Sequence, residues 1–196
     1  MGFGLLFIGY LISHGFTSGA NYIVSLVGII GAVILFFACK KLAVYSKEFK
    51  YAVIVSVLFA LSYLFNGTLQ LVEAYAADVI IPPVLLNLSR GAIIAIVFGF
   101  NYFMYRGIAD IARYAEVKGL AVSAVRNLVF MIIYYLDLIF AMILKPYFPK
   151  TSGVLGLTGA IIGVVWLVLS VWCVMSAYMK ICLEGDEEMP DAHGRK

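Results

Sequence analysis

The chain has 196 residues, of which 64% are apolar and 13% charged, against roughly 45–50% and about 25% in soluble domains. One soluble domain of this length cannot hide so much apolar surface, so a lipid bilayer is the expected solvent. The net charge of +3 is small and scattered, which leaves nucleic acid out as an expected partner.

An apolar stretch of about 20 residues crosses a hydrocarbon core as a helix. The sequence offers six such stretches in residues 1–183: Gly2–Phe16, Tyr22–Cys39, Tyr51–Val72, Pro83–Tyr105, Asn127–Leu144 and Gly153–Tyr178. The expectation is an all-α, polytopic transmembrane helix bundle. The first stretch is short and ends at His14 and Gly15, so the count falls to five if it does not cross. It has no preceding Lys or Arg and no A-x-A site, so it reads as a retained helix rather than a signal peptide. Residue 6 is neither Ser nor Thr, so the myristoylation pattern fails.

The segment 15–21 is rich in Gly, Ser and Thr and reads as a turn. Pro82 and Pro83 suit a helix's first turn. Residues 106–118 read as a cytoplasmic amphipathic segment, a helix lying on, or continuing out of, the membrane face, with Arg106, Asp110 and Arg113 on one face and Ile108, Ile111 and Ala115 on another. A solvated helical extension with local ion pairs is the plainer form of it. The tail 184–196 is acidic, nearly free of apolar residues, and expected to be disordered.

Lys and Arg in short connections orient such a chain. Lys40, Lys41, Lys47, Lys50, Arg106, Arg113, Lys118, Arg126, Lys180, Arg195 and Lys196 fall on one side; Lys145, Lys150, Glu73 and Asp78 fall on the other. The basic side is expected in the cytoplasm, giving N-in/C-in topology in the cell membrane. Tyr22, Tyr51, Tyr105, Tyr147 and Tyr178 lie near span ends, where aromatic rings settle among headgroups.

No P-loop, dinucleotide, zinc-protease or serine-hydrolase motif is present. Cys39, Cys173 and Cys182 show neither metal spacing nor C-x-x-C. No catalytic set, metal or cofactor is therefore expected. What remains is polar residues inside apolar spans, which cost free energy unless satisfied.

In the third span Ser62, Asn66, Gln70 and Glu73 stand at i, i+4, i+8 and i+11, within about 80° of one another on a helix. With Asn87 and Asn101 from the fourth span and His14 capping the first, they suggest a polar cavity open to the outside. The plainer reading is interhelical hydrogen bonding by the amides, with Glu73 in water at the interface.

Arg90 and Asp137 lie at similar depth on neighbouring antiparallel spans and are expected to form an intramembrane charge pair. Neutralising either would then destabilise the fold, and exchanging them would partly restore it. The competing account lets Arg90 snorkel to the headgroups. Gly156, Gly159 and Gly163 form a small-residue face, which favours close packing within the monomer over a dimer seam.

In size, span count and topology the chain resembles the substrate-binding membrane subunits of energy-coupling vitamin importers. The resemblance rests on architecture, with no motif to carry it, and implies a small-solute binder or transporter. A non-catalytic accessory subunit with a membrane protein partner is the alternative. A lipid-modifying membrane enzyme comes third, for want of a catalytic set.

Overall fold

A computed structural model describes residues 2–15, 22–76, 82–145 and 147–182. The turn expected at 15–21, Asp78, and the tail with His193, Arg195 and Lys196 lie outside the described residues, Gly15 apart. The described residues form helices α1 (Gly2–Gly15), α2 (Tyr22–Leu42), α3 (Lys47–Tyr75), α4 (Pro83–Tyr114), α5 (Lys118–Leu144) and α6 (Pro149–Cys182), with no strand among them. Five are long and apolar enough to cross a membrane, which suits a multi-pass protein in a lipid bilayer. The exception is α1, whose 14 residues reach only about 21 Å at 1.5 Å per residue, short of the ~30 Å hydrocarbon core.

The helices run well past the apolar stretches. α3 begins at Lys47, where the Ser46 hydroxyl accepts the Glu48 N–H at 3.2 Å and caps the first turn. Ser46 also donates to Asp110 at 3.4 Å, tying this turn to α4. The stretch 106–118 is the expected helical extension as far as Tyr114, with Arg106 and Arg113 exposed, Ile108 and Ile111 buried, and Arg113 paired locally with Asp110. α4 ends at Tyr114, Glu116 takes a left-handed φ of 60°, and α5 starts at Lys118. The Val117 N–H bonds back to the Ala112 carbonyl at 2.8 Å, the six-to-one closure that ends a helix when one residue turns left-handed.

Each helix packs antiparallel on its sequence neighbour, and α1 closes the ring on α6. Gly2 meets Leu42 while Gly31 meets Ser13; Gly28 meets Tyr63; Gly4 meets Tyr178. The alternation gathers Gly2, Cys182 and the α2–α3 and α4–α5 connections at one end. Lys40, Lys41, Lys47, Lys50, Arg113, Lys118 and Lys180 all belong to that end, termed here the basic end.

The core is lopsided. Between Val84 and Gly99 of α4 only Ser89 is buried, whereas Phe100, Asn101, Met104, Tyr105, Ile108 and Ala109 are all buried. α5 repeats the pattern, with Leu120, Ala124, Asn127 and Met131 buried in its first half and only Ala141 thereafter. Aromatic side chains fill the basic half, where Phe3 meets Phe49 edge-on at 6.4 Å and Phe49 lies against Gly107. On the opposite side the described part of α1 reaches the level of Gly31, about 13 Å from the start of α2.

Candidate functional site

Where the aromatic core ends, a cavity of about 480 Å³ begins in the middle of the bundle. Five helices line it: His14 from α1, Tyr63 from α3, Ile93, Ile94 and Val97 from α4, Tyr134 and Tyr135 from α5, and Ala160, Gly163, Val164, Trp166 and Leu167 from α6. No Lys, Arg, Asp or Glu stands among these residues. Tyr134 stacks on Trp166 at 5.5 Å between centroids, and Tyr135 meets the same indole edge-on at 6.2 Å. Gly163 permits this, since a Cβ there would come within 2.8 Å of the Tyr134 ring. The Trp166 indole nitrogen is buried and makes no hydrogen bond to protein. The wall is thus aromatic and apolar, with a few polar atoms from His14, the tyrosines and Trp166, the usual make-up of a small-molecule site.

His14 closes the side facing the core. Its ring stacks on Tyr10 at 4.1 Å. Nδ1 lies 2.8 Å from the Ser13 hydroxyl, and Nε2 lies 3.2 Å from Asn101 Nδ2. Asn101 Nδ2 also donates to the Val97 carbonyl at 2.9 Å, which fixes the amide's orientation. The self-consistent scheme has Asn101 donating to Nε2, His14 Nδ1–H donating to Ser13, and Ser13 donating to the Tyr10 carbonyl at 3.2 Å. Beneath this, Tyr105 donates to Ser170 at 2.5 Å, and Ser170 donates to the Trp166 carbonyl at 2.5 Å. Asn127 ties α5 to α6 through the Leu169 carbonyl at 2.8 Å.

The polar stripe of α3 does not line this cavity. Only Tyr63, between Ser62 and Leu64, reaches it from that helix. Asn66 is buried in a three-helix tie, donating to Ser25 of α2 at 3.3 Å and accepting from Ser89 of α4 at 3.1 Å. Ser62 is half-buried and donates back to its own helix, at the Leu58 and Phe59 carbonyls. Gln70 is half-buried, with Oε1 enclosed and unpartnered; Glu73 and Asn87 are exposed. His14 does not cap an outer helix end either. Because α1 is short, its last turn lies inside the bundle, level with Asn101 of α4.

Arg90 and Asp137 are not brought together. The ion pairs among the described residues join Arg106 to Glu48 at 3.6 Å and Arg113 to Asp110 at 3.5 Å. Arg90 is exposed. Asp137 turns toward α6, where its Oδ2 occupies the space that a Cβ on Gly159 would take, buried and without a hydrogen bond. Phe98 packs on Tyr135 at 5.0 Å, a register that sets Asp137 level with Ile96, about 9 Å from the level of Arg90, and α5 presents this face to α6. Gly159 and Gly163 therefore seat side chains of α5 within the same chain, while Gly156 has nothing within 4 Å.

The expected effect of substitution reverses accordingly. Arg90→Gln should leave thermal stability within ~0.5 kcal/mol, as for an exposed residue without partners. Asp137→Asn should cost no more than that. The exchange of the two should be the worst variant, since an arginine cannot fit against Gly159. Melting curves in detergent that show both single changes damaging and the exchange restorative would revive the pair.

The described residues hold no cluster of His, Cys, Asp and Glu able to bind a metal. Tyr63, Tyr134, Tyr135 and Trp166 were not singled out from sequence. Their signal was there: three tyrosines lie deep inside apolar stretches, away from the interfacial belts where tyrosine usually settles. No protein-family model, curated protein or solved structure matches the chain.

Proposed function

We propose that this protein binds a small, largely uncharged solute in the mid-membrane cavity and serves to move it across the cell membrane. The observation that carries this reading is the cavity itself. At about 480 Å³ it falls within the range of roughly 300–1,000 Å³ typical of small-molecule sites. Its aromatic faces favour flat or apolar solutes, and its few polar atoms provide orientation.

In a ligand-screening experiment, purified protein should melt at a higher temperature with a matching solute, because a ligand that binds only the folded state stabilises it by mass action. Val164→Trp should abolish that shift. Val164 lines the cavity yet is 64% exposed, so the indole enlarges the wall without crowding the core. A solute whose shift survives Val164→Trp binds elsewhere, and the cavity reading fails.

The orientation we infer is N-in/C-in, with the basic end in the cytoplasm, following the bias of Lys and Arg. Cysteines introduced at Lys47 and Lys118 should then resist an impermeant reagent in intact cells, and one at Lys150 should react. The reverse labelling pattern would overturn the orientation.

A second reading, an accessory subunit of a membrane complex, draws support from Asn66, whose hydrogen bonds are used up in tying helices together. That reading predicts no solute-dependent shift at all.

A further inference from the structure

At the basic end, well away from the central cavity, α4 and α5 leave a second hollow of about 200 Å³. Its upper wall carries Arg106 and Arg113, two turns apart on one face of α4. Its floor is apolar, made by Ala124, Val125 and Leu128 of α5. We propose that this groove is a binding site for an anionic phospholipid, with the two guanidinium groups holding the phosphate and the floor taking the first part of an acyl chain.

The groove is amphiphilic across its width. Arg113 sits in the last turn of α4, at the bundle end, and Arg106 lies seven residues, about 10 Å, deeper, level with Leu128 of α5. A charged wall facing an apolar one along this depth gives an amphiphile contacts that a free ion cannot use.

Charge favours an anion. This end of the bundle holds nine Lys and Arg against three Asp and Glu among the described residues. Within the groove each arginine has an acidic neighbour, yet neither is used up. Their side chains are 48% and 63% exposed and stand 3.6 and 3.5 Å from Glu48 and Asp110. A guanidinium has five N–H donors, so most of each fork remains free for phosphate oxygens. Glu48 is buried behind Arg106, with only 8% of its side chain exposed, so it braces the arginine without blocking the groove. Tyr102 completes the brace. Its hydroxyl accepts from Arg106 at 2.9 Å, and its ring lies 5.7 Å beneath the guanidinium carbon. Asp110 likewise accepts from Ser46 and pairs with Arg113, so its carboxylate is already engaged. Basic pockets between helices at a membrane surface are a recognised setting for anionic headgroups.

The test uses the full chain in a neutral detergent, with phosphatidylglycerol or phosphatidylcholine added at equal mole fraction. Melting temperature and lipid retention by native mass spectrometry are the readouts. Phosphatidylglycerol should raise the melting temperature by several degrees and remain bound, and phosphatidylcholine should do neither. R106Q/R113Q should weaken retention by about tenfold or more, since two charge-assisted contacts are lost. L128W, which fills the floor without altering charge, should weaken it as well and carries the same decision should the double variant fail to fold. K40Q/K41Q, which removes two charges at the same end but on α2, should bind normally. Equal response to the two lipids would overturn the site, as would retention unaffected by L128W or by R106Q/R113Q in folded protein. Equal loss in K40Q/K41Q would reveal a diffuse field instead of a site. The same shift from inorganic phosphate alone would make the ligand a free anion and end the lipid assignment.

Discussion

Gly31→Leu should cost about 3 kcal/mol or more, at the upper end of what forced overpacking produces. A Cβ at Gly31 would lie 2.9 Å from both the backbone nitrogen and the Cβ of Ser13, and 3.0 Å from its Cα. Backbone inside a helix cannot swing aside as the end of a flexible side chain can. The approach is mutual, for a Cβ at Gly9 would come within 3.0 Å of the Leu35 nitrogen. α1 and α2 therefore touch backbone to backbone at two points one turn apart. α1 has 14 residues and is held between α2 and α6, so a leucine at this crossing pushes it off α2 and disturbs its other contacts. Phe3, Leu6 and Tyr10, each at most 1% exposed, would lose their packing, and His14 would leave Asn101. Gly156→Leu is the matched control: nothing lies within 4 Å of that position, so its stability should stay near the wild type. Equal melting temperatures for the two variants would refute the close crossing. Loss of the solute-dependent shift in Gly31→Leu but not in Gly156→Leu would tie the crossing to the cavity through His14.

What the sequence revealed and what it hid divide along one physical line. Long apolar stretches must become helices in lipid, because each backbone polar group needs a partner there. The five long helices and the gathering of basic residues at one end follow from composition alone. The shortness of the first stretch was also visible, and it places His14 inside the bundle, at the cavity wall. Rotation about each helix axis was not visible. Ser62, Asn66, Gln70 and Glu73 do share a face of α3, but a helix face is wider than one environment. Asn66 meets α2 and α4, Glu73 is exposed, and Tyr63, one residue along from Ser62, finds the cavity. Arg90 and Asp137 fail as a pair on rotation and on depth together, since the Phe98–Tyr135 contact sets them about 9 Å apart along the bundle. Glycine carried more information than was drawn from it. Attention to the spacing in α6 found Gly159 and Gly163, whereas Gly9, Gly28, Gly31 and Gly67, which set the approach of α1, α2 and α3, form no compact motif and are legible only once the partners are known.

Asn66→Leu should cost about 1–4 kcal/mol, the sum of two interhelical hydrogen bonds at roughly 0.6–2 kcal/mol each in a membrane bundle. Leucine has the same number and branching of heavy atoms as asparagine and leaves no cavity, although its methyl groups are bulkier than the amide's oxygen and nitrogen. The two partners should respond differently. Ser89 has a second acceptor within reach, the Leu86 carbonyl at 2.9 Å, and can return to it when the amide is gone. Ser25 has the Asn66 donor at 3.3 Å and is brought there by Gly67, whose missing side chain lets the two helices approach. A double-mutant cycle separates these roles. In the Asn66→Leu background Ser25→Ala should add almost nothing, because the bond it removes is already lost. In the wild-type background the same change should cost about 1 kcal/mol or more. Additive losses would mean that the amide and the hydroxyl act independently. The three-helix tie would then be a matter of proximity, and α2, α3 and α4 would be held together at this level by packing rather than by the amide.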